Sequence, residues 1–145
     1  DLFMSVFCNK IFSQSFMERC RKILNLHNGP LPRYRGVSPV TWTLKNEEVE
    51  HGATIHEITA GIDEGPIISQ VKYSIYHAFA EVIDVYNRGL EYAWTLFLQT
   101  MPLLGKIKAR PQDNSLAAYH SKKEDHMLGE RRYFTKQESL GRVQK

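Results

Sequence analysis

Asn25 and His27 stand two residues apart in the stretch NLHNGPLPRYRG, which runs straight into a turn stiffened by Gly29, Pro30 and Pro32. In an extended strand residues i and i+2 project from the same face, so this amide and this imidazole address one space. An Asn N–H can hold a developing oxyanion, and an imidazole near neutral pH can donate or accept a proton. Together the two suit acyl transfer. No Ser or Cys sits in an elbow beside them, so the acyl acceptor has to be the substrate itself. A carboxylate commonly orients and charges such a histidine, and Asp63, on a glycine-flanked loop, is the best-placed candidate. Each feature alone also has a plainer reading: Asn-x-His is a weak pattern, and Asp63 between Ile62 and Glu64 reads as a turn residue.

The remaining titratable groups are less pointed. His56 in TIHEI reads as a structural or pocket-wall histidine, His51 and His77 as surface residues, and Glu57 as a solvent-facing strand residue. His27, His51, His56 and Asp63 are ligand types for zinc, but their spacing matches neither HExxH nor a cysteine-containing deaminase pattern, so no metal is expected. Arg33 and Arg35 have the geometry for phosphate, with a solvated basic loop as the plain alternative. Arg131 and Arg132 read as surface.

The elements that must position these residues follow from pattern. DLFMSVF is a short apolar run suited to a buried strand, SQSFMERC a short helix capped by Ser13, and KILNLH a second strand. Strand, helix, strand at this length makes a right-handed crossover between parallel strands, which puts Asn25 and His27 at the carboxyl end of one of them. Open α/β sheets bind ligands there. SPVTWTLKN predicts a short helix with Ser38 as cap and Pro39 in its first turn. GATIHEI and GPIISQVKYSI are β-branched runs that predict an antiparallel excursion, with Asp63 on the connecting loop. From about residue 78 to 104, Val82, Val85, Tyr86, Leu90, Ala93, Phe97, Met101 and Leu104 recur at three and four, predicting a long helix whose aromatics face the core.

Composition bounds the class. The chain has 145 residues, 42% hydrophobic and 24% charged, with 19 Lys and Arg against 16 Asp and Glu for a net charge of +3. That is ordinary for a globular domain and too small a surplus to demand nucleic acid. Cys8 and Cys20 lack metal or redox spacing and read as reduced thiols. No apolar run approaches the ~20 residues that span a bilayer, and the N-terminus lacks signal-peptide features, so a soluble cytoplasmic protein without a membrane partner is expected.

The segment NLHNGPLPRYRGVSPVTWTLKNEEVEHGATIHEITAGIDEGPIISQ resembles the catalytic half of the 10-formyltetrahydrofolate-dependent formyltransferases. Their hallmark is an Asn-x-His strand end, a Leu-Pro-containing loop and a downstream Asp. The resemblance runs from about Asp1 to Tyr119. It implies an α/β fold: the C-terminal part of a Rossmann-like domain, mostly parallel sheet with one antiparallel excursion and a long C-terminal helix. It implies attack of a substrate amine on the formyl carbon of 10-formyltetrahydrofolate through a tetrahedral intermediate, with Asn25, His27 and Asp63 as the catalytic trio. The folate loops of the family fall on Asn9, Lys10, Ile11 and Phe12 and on Thr59, Gly61 and Ile62, where for Ile11, Phe12 and Ile62 plain core remains the alternative. Asn28, Gly29 and Pro30 replace the family's usual Pro-Ser-Leu and, with Arg33 and Arg35, fall on the acceptor side. The Arg-Tyr-Arg-Gly run is closer to the tRNA and sugar-nucleotide branches than to the purine-synthesis branch. The implied acceptors are therefore a small-molecule amine, a nucleotide-linked amino sugar or an aminoacyl-tRNA.

Relatives of this kind begin with further strands before the position of Asp1, so the chain reads as a fragment of a longer product. Residues 1–108 are expected to form the catalytic domain portion and 109–145 a polar extension or linker. The DLFMSVF strand then has an unpaired edge, through which a second copy can pair into a homo-oligomer. Two rival classes remain open: an inactive truncated remnant that binds folate or a partner, and an RNA-binding module using the arginine-rich loop and tail.

Overall fold

The computed structural model describes residues 1–8 and 10–128. The expected folate contact Asn9 and the pair Arg131 and Arg132 lie outside the described residues. In chain order the elements are β1 (Leu2–Val6), α1 (Gln14–Met17), β2 (Lys22–His27), β3 (Arg35–Gly36), α2 (Pro39–Lys45), β4 (Glu50–Glu57), β5 (Ile67–Ser74), α3 (Val82–Thr100) and β6 (Tyr119–His120), with 3-10 helix after α3 at Met101–Leu103, Asn114–Leu116 and Lys122–Leu128. The fold is α/β.

β1 and β2 pair in parallel, from Leu2 opposite Lys22 to Val6 opposite Leu26. The crossover between them is α1, where the Ser13 side chain accepts the N–H of Phe16 and so satisfies one of the free donors of the first turn. The antiparallel excursion is the β4–β5 hairpin, and β4 also runs against β2, giving the order β1-β2-β4-β5. β1 is the end strand, and among the described residues no strand pairs with its outer edge. β2 and β4 are buried along nearly their whole length, polar residues included, because both faces of the sheet are covered here. The core gathers Leu24, Leu26, Ala53, Ile55 and Ile68 of the sheet around Ala93 and Leu96 of α3.

Two sequence expectations are corrected by the helices. Ser38 precedes α2 with φ of 55° and makes no capping bond; its hydroxyl instead donates to Asp125 at 3.3 Å. On α3 the buried face is Val85, Gly89, Ala93, Leu96 and Thr100. It shares only Val85 and Ala93 with the predicted stripe; Tyr86, Leu90 and Trp94 are exposed, Trp94 by 60%. The helix is apolar on two sides, so spacing alone does not say which side packs. Small residues decide it: Gly89 and Ala93 let the backbone approach the sheet closely, whereas the aromatics would hold it off.

The polar segment after Ala109 folds back on the domain. Arg110 and Ile67 exchange two backbone hydrogen bonds of 2.7 and 2.8 Å, and β6 pairs in parallel with β3, Gly36 opposite His120. Among the described residues no helix is long and apolar enough to cross a membrane.

Candidate functional site

Asn25 and His27 lie on β2 with their side chains on one face, and the antiparallel register brings His56 of β4 directly opposite Asn25. The loop from β4 to β5 carries Asp63 back over that face. Asp63 takes a left-handed backbone, φ 53°, which its short polar side chain tolerates. Its two oxygens then serve different partners. Oδ2 accepts the Gly36 N–H at 2.9 Å and lies 3.5 Å from Nδ1 of His27. Oδ1 lies 3.4 Å from both Nδ2 of Asn25 and Nε2 of His56. Asn25, His27 and His56 are all buried.

The hydrogen bonds fix much of the protonation pattern. A carbonyl oxygen only accepts, so His27 carries its proton on Nε2, which donates to the Tyr34 carbonyl at 2.7 Å. Nδ1 of His27 then turns toward the Asp63 carboxylate. Burial lowers the His27 pKa below its ordinary value and the His56 ring adds to that, while the Asp63 charge and the Tyr34 carbonyl oppose it. For Asp63, burial pushes the pKa up, but His56, His27 and the Gly36 amide together outweigh it and bring it down to about 2. Asp63 is therefore ionised at neutral pH. His27 is left with a base site aimed at an anion, which stabilises the imidazolium once a proton arrives there.

The turn after His27 is held from beneath. Thr54 Oγ1 donates to the Gly29 carbonyl at 2.8 Å and accepts the Leu31 N–H, while Gln70 Nε2 reaches the Leu31 carbonyl at 2.8 Å. Gly29 is packed so tightly that a Cβ there would lie 2.8 Å from Nε2 of His27 and 2.9 Å from Pro39. Asn28, Gly29 and Pro30 are all buried. The Asn28 side chain enters the interior, its Oδ1 only 2.6 Å from where a Cβ on Gly89 would stand, so the turn's unusual first residue docks on the glycine of α3.

The two arginines separate. Arg33 is exposed by 66% at its side chain and pairs with Glu48 at 2.7 Å. Arg35 is buried: its guanidinium donates twice to Gln112 Oε1 and once to Asn114 Oδ1. Gln112 in turn donates to the carbonyls of Asp63 and Gly65 at 2.8 and 2.7 Å. Arg35 thus acts through Gln112 on the loop that carries Asp63. At Gly36, where φ is +90°, a Cβ would lie 2.1 Å from the His120 carbonyl, so only glycine lets the Asp63 anchor and the β6 pairing coexist.

Of the loop residues, Ile11 is 81% exposed and Ile62 is exposed, so neither is core; Lys10 and Thr59 are exposed and Gly61 half-buried. Phe12 is half-buried in an aromatic group with Phe3 and Phe16. His51 corrects its surface reading. It is fully buried, bonded to Thr43 Oγ1 at 3.0 Å, and burial brings its pKa down to about 4. The site residues that spacing missed are Thr54, Gln70 and Gln112, and the structural or pocket-wall reading of His56 did not place it between Asn25 and Asp63. For His56 and Thr54 the signal was available: both belong to a β-branched run that, paired antiparallel to KILNLH, faces Asn25 and His27. Gln112 gave none. No group of three or more His, Cys, Asp or Glu arranged to hold a metal occurs among the described residues.

With this geometry in hand, comparison with known proteins places the chain. A family profile described as formyl transferase matches residues 1–101. Methionyl-tRNA formyltransferase of Thermosynechococcus vestitus is 33% identical over 120 residues, 82% of this chain and 36% of that protein. The chain thus spans just over a third of the length of this curated relative. Among solved structures, the formyltransferase PseJ from Anoxybacillus kamchatkensis, in complex with UDP-4,6-dideoxy-4-formamido-L-AltNAc and tetrahydrofolate, superposes with a TM-score of 0.79 at 31% identity, over 88% of this chain and 67% of that one. The N-formyltransferase from Helicobacter canadensis, in complex with folinic acid and dTDP-3-aminofucose, does so with 0.66 at 32% identity, over 70% and 38%.

Proposed function

The chain belongs to the formyl transferase family, and from that premise we propose that the protein it represents transfers the formyl group of 10-formyltetrahydrofolate to a primary amine. The observation that carries this is the convergence of Asn25, His27 and Asp63 in one buried hydrogen-bonded cluster on β2 and the loop above it. The site fits a polar ligand: Oδ1 of Asn25 is buried and has no hydrogen-bond partner among the described residues, so one end of that amide is left for something other than protein. The folate donor supplies an activated formyl carbon.

The chain's own groups do the rest. The amide of Asn25 offers an N–H to the negative charge that develops on the formyl oxygen, in a site too buried for water to compete. His27 takes up the proton that the attacking amine sheds, at the nitrogen that faces Asp63, the ionised carboxylate stabilises the resulting imidazolium, and that proton passes on to the donor's leaving nitrogen as its bond to the formyl carbon breaks. Thr54 and Gln70 hold the turn that keeps His27 in place. The acceptor we favour is a nucleotide-linked amino sugar, with a methionyl-tRNA-like amine as the alternative within the same chemistry. The relatives' named ligands and the exposed Arg33 support this. The loops at Lys10 to Phe12 and at Thr59, Gly61 and Ile62 line the folate side in this reading, and the reaction takes place in the cytoplasm. A binding module without turnover is the poorer account, because a binding role alone gives no reason for Asn25, His27 and Asp63 to converge in one buried cluster.

The test is release of tetrahydrofolate by the full-length protein against a panel of amines including amino-sugar nucleotides and initiator methionyl-tRNA. A preorganised donor of this kind contributes roughly 3 kcal/mol, a hundredfold or more in rate. Asn25→Ala and His27→Ala should each abolish measurable turnover with the circular dichroism spectrum unchanged. Near-normal transfer by either variant would sink the assignment.

A further inference from the structure

His56 sits at the centre of the cluster with every polar atom spoken for, yet its two neighbours ask opposite things of it. Nδ1 lies 2.9 Å from the Glu57 carbonyl, so it carries a proton and donates. Nε2 faces a donor, Nδ2 of Asn25 at 3.2 Å, and an acceptor, Oδ1 of Asp63 at 3.4 Å. It cannot serve both at once. With a lone pair on Nε2 it accepts from Asn25; with a proton there it donates to Asp63 and confronts Asn25 with a second N–H.

The same amide also reaches Asp63 at 3.4 Å. While His56 is neutral, both N–H groups of Asn25 are therefore spent inside the cluster, and the end that points away from it is the oxygen, which cannot stabilise an anion. We propose that His56 is a positioning residue of the transfer site: neutral, it holds the Asn25 amide inward; protonated, it takes Asp63 Oδ1 and releases that amide toward the reacting oxygen. The inference rests on the formyl-transfer reading for its catalytic consequence, but the amide switch itself does not.

The charged and titratable groups facing His56 are few. Asp63 comes from the β4–β5 loop, His27 from β2 with ring centroids 6.3 Å apart, and Glu57 of its own strand turns its carboxylate to Lys22 at 2.9 Å. One carboxylate thus faces two imidazoles, one on each oxygen. A proton on His56 discourages a second on His27, so the state that frees the amide is also the state in which His27 keeps a lone pair for the amine's proton.

The experiment has two arms. In the first, the side-chain amide of Asn25 and the ring of His56 are followed by nitrogen-15 NMR across pH in the chain without ligand. The Asn25 signal should move with the midpoint of the His56 ring, and His56→Gln should remove that movement. In the second, steady-state transfer by the full-length protein is measured across pH. His56→Ala should lose about a hundredfold in kcat with KM for the folate within twofold, and His56→Gln, which hydrogen-bonds without titrating, should recover most of that loss with one ionisation gone from the profile. An Asn25 amide that ignores the His56 titration overturns the proposal. So does a His56→Ala enzyme with the wild-type profile. If the wild-type protein transfers no formyl group, the function has failed, and the NMR arm still decides the switch.

Discussion

Gly29 and His27 are packed so that a single methyl group on the glycine would press on the imidazole, 2.8 Å from Nε2. The other side of the turn is closed by Pro39, so the ring, and not the loop, has to yield. A displacement of about 1 Å in a catalytic group can cost on the order of a hundredfold in rate. Gly29→Ala should accordingly lower kcat by about tenfold to a hundredfold while thermal unfolding stays cooperative. Unchanged kcat would mean that His27 has more room than its contacts indicate.

Asp63 carries a stability signature as well as a catalytic one. Its folded pKa is depressed, from 3.8 to about 2, so the stabilisation it provides is fully present above pH 3.8 and is lost as pH falls through about 2. A shift of this size corresponds to about 2 kcal/mol. Urea unfolding of the wild-type chain should lose that amount over this window, and Asp63→Asn, which tolerates the left-handed backbone but does not ionise, should lack the decline. The same variant should transfer formyl groups at least a hundredfold more slowly.

His51 predicts a second, separate window. It is buried neutral with its pKa lowered from 6.5 to about 4, so its contribution is complete above pH 6.5 and declines as pH falls toward 4. The expected loss is about 3 kcal/mol. Urea midpoints should fall through this range before the Asp63 window is reached, and His51→Gln should flatten most of that fall. A midpoint constant from pH 6.5 to 4 would show that His51 gains a proton without cost.

Arg33 and Arg35 should fail differently. Arg35→Ala leaves Gln112 and Asn114 without their charged donor and should destabilise the chain by about 2 to 3 kcal/mol. Arg33→Ala removes an exposed cation that pairs with Glu48, and should leave the melting temperature within a degree or two while raising KM for a phosphate-bearing amine severalfold. Equal effects of the two on KM would argue that Arg35 also reaches the acceptor.

The parts of this molecule legible in its sequence are those fixed over short distances. The β1–α1–β2 crossover follows from two apolar runs and a capped turn, and the common face of Asn25 and His27 follows from alternation alone. Asp63 came from a motif and not from spacing, because the loop that returns it over β2 leaves no local pattern. His56 was read only as a structural or pocket-wall histidine because a histidine in a strand says little until the register places it opposite Asn25. α3 was misread because its sequence offers two apolar faces, and the choice between them lies in how closely Gly89 and Ala93 let it approach, a property of the packed pair of surfaces. The role of Gln112 depends on a chain reversal that no window of sequence contains.

The Arg35 clamp also sets a timetable for synthesis. Arg35 is made 77 residues before Gln112, so at about 5 to 20 residues per second the guanidinium waits roughly 4 to 15 seconds for its acceptor to be added. In that interval the carbonyls of Asp63 and Gly65 lack the amide that fixes them. The residues of the four-stranded sheet and of α3 are all made before Gln112, but the loop over His27 is secured only afterwards. A chain that ends short of residue 112 lacks the amide that fixes the Asp63 loop, so its chemistry is not set.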